Sequence, residues 1–347
     1  MERKQKIINS ELCHDLLIKN TRPRLSNRGD VSFLGWKKQI KEQLLKSLRM
    51  DLIKKYACPI NFEIEWEEDK GSYRLIRFTI ESEMDVFVPC YVTIPKLGKN
   101  KYPVAITLQG HTTGFHNSIG EPRSEKDKIN YPRTAIAVQA AENGYIGIAI
   151  EQRGMGERLP KKQHRFGVSP CTWTTRTGNA LGRVILGERI WDVMRIIDAL
   201  NNFKECDLDK ILITGNSGGG TVSYYAACLD ERIKLSVPSC SFCSYKDSIL
   251  EVAHCGCNYI PSAYLEFEMQ DLSCLIAPRN LIVVTGENDP IFPINGVKTS
   301  FKTVQEIFQE SGAKDNCRLV ITPKGHWWCV DLVWSEINKE CKKLGWI

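Results

Sequence analysis

The residues best placed to do chemistry are in Gly215-Asn216-Ser217-Gly218-Gly219, directly behind the apolar run Ile211-Leu212-Ile213-Thr214. A short β-branched run reads as a buried strand. A Gly-x-Ser-x-Gly turn between such a strand and a helix lifts the Ser hydroxyl clear of the backbone as a nucleophile. Gly215 and Gly219 would let strand and helix approach closely. A Ser hydroxyl attacks a carbonyl only when a base takes its proton. The chain supplies that base later. Asn280 to Gly286 reads as a strand, followed by Glu287-Asn288-Asp289-Pro290. Arg318 to Thr322 reads as another, followed by Pro323-Lys324-Gly325-His326-Trp327. Ser217, Asp289 and His326 therefore fall in the order nucleophile, acid, base, each just past a strand. His326 is the expected base because imidazole titrates near neutrality. Asp289 would fix its tautomer, with Glu287 as the competing acid.

Acyl transfer also needs donors for the developing oxyanion. The N–H of Gly218 is one candidate. The other comes from the loop Gln109-Gly110-His111-Thr112 after the strand Val104 to Leu108, with His111 N–H first and Thr112 N–H second. Thr112, Trp173 and Trp327, together with Trp328, are candidates to line an acyl or alcohol pocket. Arg153 reads either as an anion-binding group or as a partner of Glu188 or Asp192.

These groups need a scaffold. Ile40, Leu44, Leu48 and Leu52 recur every fourth residue between Val31 and Lys55, which predicts one amphipathic helix. Asn61 to Trp66, Tyr73 to Ile80 and Val86 to Ile94 read as an antiparallel meander. From Val104 onward strands alternate with helices: helix Thr134 to Asn143, strand Tyr145 to Ile150, helix Arg183 to Asn201, the Ile211 strand, and a strand at Ile233 to Val237. That alternation predicts a mostly parallel sheet covered by helices on both faces. The expected organisation is an N-terminal helical arm (1–58) and a catalytic domain (59–347). Insertions near 152–181 and 239–275 would shape the pocket.

Bulk properties narrow the field. The 347 residues are 42% hydrophobic and 25% charged, ordinary for a globular protein. No apolar run is long enough to cross a membrane. Met1 to Lys6 contains no apolar leader, so a cytoplasmic protein is expected. The net charge is +6, but residues 1–60 carry 14 Lys+Arg against 6 Asp+Glu, and the rest carries 33 against 35. The basic residues alternate with acids and lack aromatic spacing, so a solvated face is expected and no nucleic-acid partner. The N-terminal helix is a candidate contact for a homo-oligomer. Fourteen cysteines without a leader read as small buried hydrophobes. One cluster, Cys240, Cys243, His254, Cys255 and Cys257, resembles zinc-ligand spacing. Its second pair is C-x-C, and a packed, reduced cluster near the pocket is the expectation.

With these residues in hand, the chain resembles the α/β-hydrolase superfamily over roughly residues 60–345, and within it the acetyl xylan esterase and dienelactone hydrolase-like branch. Gln109-Gly110-His111, Gln152-Arg153-Gly154, Gly215 to Gly219, Asp289 and His326 carry the resemblance. Acetyl-esterase relatives commonly have His-Gly-Tyr and Arg-Gly-Gln where this chain has Gln-Gly-His and Arg-Gly-Met. Dienelactone hydrolases proper use a Cys nucleophile, and here the elbow carries Ser. The resemblance implies an α/β-hydrolase fold. The resulting expectation is a serine esterase for a small, short-acyl carboxylic ester, needing no metal or organic cofactor. Three other readings are weighed: an acyltransferase with the same triad, a peptidase of the same superfamily, for whose usual propeller domain roughly a hundred residues before the sheet are too few, and a binding protein on this scaffold with metal in the Cys cluster.

Overall fold

A computed structural model describes residues 9–26, 28–161 and 167–347. The expectations for residues 1–8, Asn27 and 162–166 of the first insertion lie outside the described residues. One nine-stranded sheet organises the chain, in the order β1-β2-β3-β5-β4-β6-β7-β8-β9. Its strands are β1 (Phe62–Asp69), β2 (Tyr73–Glu83), β3 (Val86–Pro95), β4 (Tyr102–Leu108), β5 (Ile146–Ile150), β6 (Cys206–Asn216), β7 (Ile233–Ser239), β8 (Asn280–Gly286) and β9 (Cys317–Thr322). β1, β2 and β3 pair antiparallel, and β3 joins β5 antiparallel. From β5 through β4, β6, β7, β8 and β9 every pairing is parallel. The fold is the expected α/β-hydrolase type, with a mixed sheet.

Strand composition follows position in the sheet. β4 and β8 are buried along their whole length, as apolar parallel strands with both faces covered must be. Alternate side chains serve opposite faces. Val104, Ile106, Ile211 and Ile213 join one core cluster with Ile196 and Ile197 of the helix Ile185–Ala199. Ala105 and Leu212 join the opposite cluster with Trp334 and Ile337 of the helix Val330–Lys343. The outer strand β1 instead carries Glu63, Glu65, Glu67 and Asp69 and is almost wholly exposed. Charge on an edge strand discourages pairing with another chain.

The N-terminal segment differs from a single helix. Ser32 caps the helix Phe33–Ser47 by accepting the Gly35 N–H, and Trp36, Ile40 and Leu44 are its buried face. Arg49 then adopts φ 53°, and a short helix Met50–Lys54 follows. The left-handed residue resets the phase, so Met50 and Ile53 are buried where the unbroken repeat predicts Leu52. All of these apolar side chains enter the same cluster as the sheet. Among the described residues, no helix is long and apolar enough to cross a membrane.

Parallel strands end together. Leu108, Asn216, Ser239, Gly286 and Thr322 therefore lie along one edge of the sheet, and the loops leaving that edge converge.

Candidate active site

Ser217 stands between β6 and the helix Gly218–Leu229 with φ 56° and ψ −123°. A non-Gly residue in that region is strained and persists only where its surroundings impose it. The Ser217 N–H is tied to the Ser239 carbonyl of β7 at 2.9 Å. A Cβ at Gly215 or Gly219 would collide with the Leu108 carbonyl of β4, and one at Gly219 would also lie 2.7 Å from the Gln109 oxygen. The glycines are thus required by the approach of β4 to the elbow.

His326 follows β9. Its Nδ1 lies 2.9 Å from Asp289 Oδ2, and Asp289 is buried. Asp289 Oδ1 accepts the N–H groups of Ile291 at 2.9 Å and Phe292 at 3.1 Å. Burial raises the Asp289 pKa, but the His326 contact and these two amides outweigh it and hold the carboxyl below its usual range. An ionised carboxylate at Nδ1 selects the Nδ1–H tautomer and leaves Nε2 as the basic nitrogen. The Phe292 ring stacks beside His326, with centroids 6.0 Å apart and planes 15° off parallel. Glu287 is exposed. The geometry thus separates the two candidate acids, pairing Asp289 with His326.

The loop after β4 meets the elbow. A Cβ on Gly110 would lie 3.0 Å from the Asn216 carbonyl oxygen and 3.2 Å from Ser217 Cβ. The His111 ring lies over Gly218, with Cε1 3.0 Å from where a Gly218 Cβ would stand. Thr112 N–H, the second candidate donor, is bonded to the Gly110 carbonyl at 2.8 Å. Behind the loop, Gln109 Nε2 donates to Glu151 Oε1, and Gln152 Nε2 donates to the Gln109 carbonyl. Glu151 Oε2 accepts the N–H groups of Phe115 and Glu157. Burial pushes the Glu151 pKa up to about 7.

Ser217 and His326 line one cavity of about 410 Å³ with Gln109, Gly110, His111 and Thr112. A larger groove, about 930 Å³, runs between the N-terminal helices and Gly182–Val184 and contains none of these residues. The chemistry decides which of the two matters.

The model for the Abhydrolase family matches residues 2–243. This chain belongs to the Abhydrolase family. The matched span includes the elbow and ends before Asp289 and His326. Among curated proteins, a provisionally named hydrolase of Bacillus subtilis, YtaP, is 26% identical over 242 residues, which is 69% of this chain and 77% of YtaP. Among solved structures, a provisionally named acetyl xylan esterase from Bacteroides fragilis superposes with TM-score 0.78 at 18% identity, covering 98% of this chain and 97% of that one. A glucuronoyl esterase from Solibacter usitatus gives TM-score 0.64 at 15% identity, covering 88% and 93%.

Within this Abhydrolase-family fold the pocket wall departs from expectation. Thr112 lines the cavity, but Trp173 and Trp327 do not. Trp173 sits on the helix Pro170–Ala180, part of the first insertion. Trp327 is 43% exposed, with the Arg133 guanidinium 3.5 Å above its ring, and it faces a neighbouring groove. Trp328 is the residue that turns inward, where its Nε1 donates to Gln139 Oε1. Residues 115–133, outside every element and site the sequence predicts, supply much of the remaining wall together with Thr113. Thr113 donates to Asp127 at 2.5 Å, Asn117 donates to Thr113 at 2.9 Å, and Lys126, Asn130 and Arg133 complete it. Arg153 is an internal ion-pair residue, bound to Asp192 at 2.8 Å and Glu83 at 2.5 Å.

All fourteen cysteines are unbridged. The expected Cys240–Cys257 cluster is split. Cys240 lies beside Asp289 and His326, and His254 Nε2 contacts Ser248. Cys255 and Cys257 instead meet Cys171 and His111.

Proposed function

We propose that this chain is a serine esterase acting on a small carboxylic ester with a short acyl group. The observation that carries the reading is the placement of Ser217. It occupies a strained elbow at the end of β6 and shares a cavity with a His326 that a buried Asp289 orients. In the proposed cycle Ser217 Oγ attacks the ester carbonyl while His326 Nε2 takes its proton. The Gly218 and His111 amides hold the oxyanion. His326 then protonates the leaving alcohol, and water repeats the sequence on the acyl-enzyme. The wall of Thr112, Thr113, Asn117, Asp127, Asn130 and Arg133 offers hydrogen bonds to a polar, hydroxylated alcohol moiety. The esterase names of the structural neighbours point the same way.

The test is hydrolysis of p-nitrophenyl esters of increasing acyl length by wild type and Ser217→Ala. The expected result is a maximum at acetyl and a loss of at least about 10³-fold in the variant. Equal rates in both proteins would remove Ser217 as the nucleophile. Product analysis with alcohol acceptors separates hydrolysis from acyl transfer.

A further inference from the structure

Four side chains from three distant segments converge beside the oxyanion loop. His111 comes from the loop after β4, Cys171 from the helix Pro170–Ala180, and Cys255 and Cys257 from the loop after β7. One donor atom from each lies within 4.8 Å of all the others. His111 Nε2 and Cys257 Sγ are 3.3 Å apart. A tetrahedral zinc with Zn–S near 2.3 Å and Zn–N near 2.05 Å needs S···S separations of roughly 3.8 Å and N···S of roughly 3.5 Å. The group is therefore close to the size of a Cys3His cage.

A second observation points to the same ligand. Arg189 is 2% exposed, and its guanidinium lies 3.2 Å from Cys171 Sγ. It also donates to the Arg153 carbonyl, and among the described residues no carboxylate pairs with it. A buried cation without a counter-charge is costly. Three thiolates around a divalent ion leave one net negative charge, which Arg189 would neutralise. Three neutral thiols would leave it uncompensated.

We propose that His111, Cys171, Cys255 and Cys257 bind a zinc ion in a closed, four-ligand structural site. Binding releases the three thiol protons to solvent and changes no oxidation state. With all four positions taken by protein, the ion has no open site for substrate and acts by holding the loops together. Gly256 fits this geometry, because a Cβ there would meet the Thr175 side chain at 3.2 Å and hold the loop off the helix. The consequence for catalysis rests on the serine esterase reading: zinc on Nε2 fixes the His111 ring against Gly218, and with it the two amides assigned to the oxyanion. The metal site itself does not depend on that reading.

The experiment is metal analysis of the full chain purified under reducing conditions with zinc present and without chelator, alongside Ser217→Ala, Cys255→Ser and Arg189→Met. Wild type and Ser217→Ala should each hold about one zinc per chain, whether or not an ester is hydrolysed. Cobalt exchange into wild type should give the thiolate-to-cobalt charge-transfer and intense ligand-field bands of a tetrahedral thiolate site. Arg189→Met should weaken binding by about 10- to 100-fold, as loss of an outer partner does. Cys255→Ser should lose most of its metal, but the wild-type stoichiometry and cobalt spectrum stand even if that variant does not fold. Metal-free wild type under these conditions would overturn the proposal. So would a disulfide within the group, or cobalt spectra without thiolate ligation.

Discussion

Asp289→Asn tests the step of the proposed cycle that works through a tautomer. The substitution keeps shape and burial. The amide oxygen can still accept the Ile291 and Phe292 N–H groups that now bond to Oδ1 at 2.9 and 3.1 Å. The amide nitrogen then faces His326 Nδ1 in place of Oδ2, which lies at 2.9 Å. An NH2 donor there requires Nδ1 to accept, so the ring proton moves to Nε2, the nitrogen that takes the Ser217 proton in the proposed cycle. The base is removed with little change in packing. Wrong-tautomer losses of this kind reach about 10⁴ in kcat, or roughly 5.5 kcal/mol of barrier. The assay is p-nitrophenyl acetate turnover on protein whose fold is checked by circular dichroism. Exposed Glu287 provides the control, since Glu287→Gln should leave kcat within about twofold. A folded Asp289→Asn enzyme with kcat within tenfold of wild type would refute the assignment, as would a large loss in Glu287→Gln. Stability carries a second signature. The Asp289 carboxyl titrates below its unfolded value. Its contribution is therefore complete above the unfolded pKa of about 3.9 and is lost as pH falls through the folded one. The Asn variant should lack that acid-limb component.

Four other outcomes follow from packing and burial. Gly219→Ala places a methyl 2.7 Å from the Gln109 oxygen and closer still to the Leu108 carbonyl. It should cost at least about 1–3 kcal/mol in urea unfolding, because both obstacles are backbone. Burial pushes both Glu151 and Glu268 up to about 7. A raised carboxyl stabilises the fold below its unfolded pKa and loses that contribution as pH rises through the folded one. With an unfolded Glu pKa of about 4.3, the thermal midpoint should thus fall between about pH 4 and 7, and Glu151→Gln should flatten part of that fall despite its lower absolute value. Trp327→Ala should leave KM for the acetyl ester within about twofold, because the residue lines a neighbouring groove and not the Ser217 cavity. Trp328→Ala should destabilise by about 3–5 kcal/mol through loss of a buried indole.

The parts of this molecule that were legible in sequence are those whose physics is local. The strands leading to Ser217, Asp289 and His326 are short apolar runs ending in turns, and β6, β8 and β9 lie where those runs are. The elbow glycines are demanded by contacts with β4, but the strand-turn-helix pattern displays them in one segment. What was not legible depends on which way a loop turns. Trp327 and Trp328 are adjacent and chemically alike, and only the path after His326 decides which one enters the cavity. The single helix expected over 31–55 fails for a related reason. Arg49 takes a left-handed conformation that its residue type does not announce, and the repeat changes phase there. Cys171 was invisible as a partner of Cys255 and Cys257 because nothing in its own segment signals the meeting.

The loop after β4 shows how these two kinds of information combine. A backbone amide serves an oxyanion only if it is fixed before charge develops, since reorganisation during reaction would consume the gain. Three restraints act on this short segment. Gly110 packs against Asn216 and Ser217, Gln109 is held by Glu151 and Gln152, and the His111 ring lies between Gly218 and the Cys171–Cys255–Cys257 thiols. The first belongs to the sheet edge itself. The second uses the two residues that follow β5, and the third reaches into both insertions. The two insertions supply none of the residues lining the Ser217 cavity, yet through Cys171, Cys255 and Cys257 they bear on the loop that the proposed cycle gives to the oxyanion. A change in either insertion should alter turnover even where it leaves the cavity wall intact.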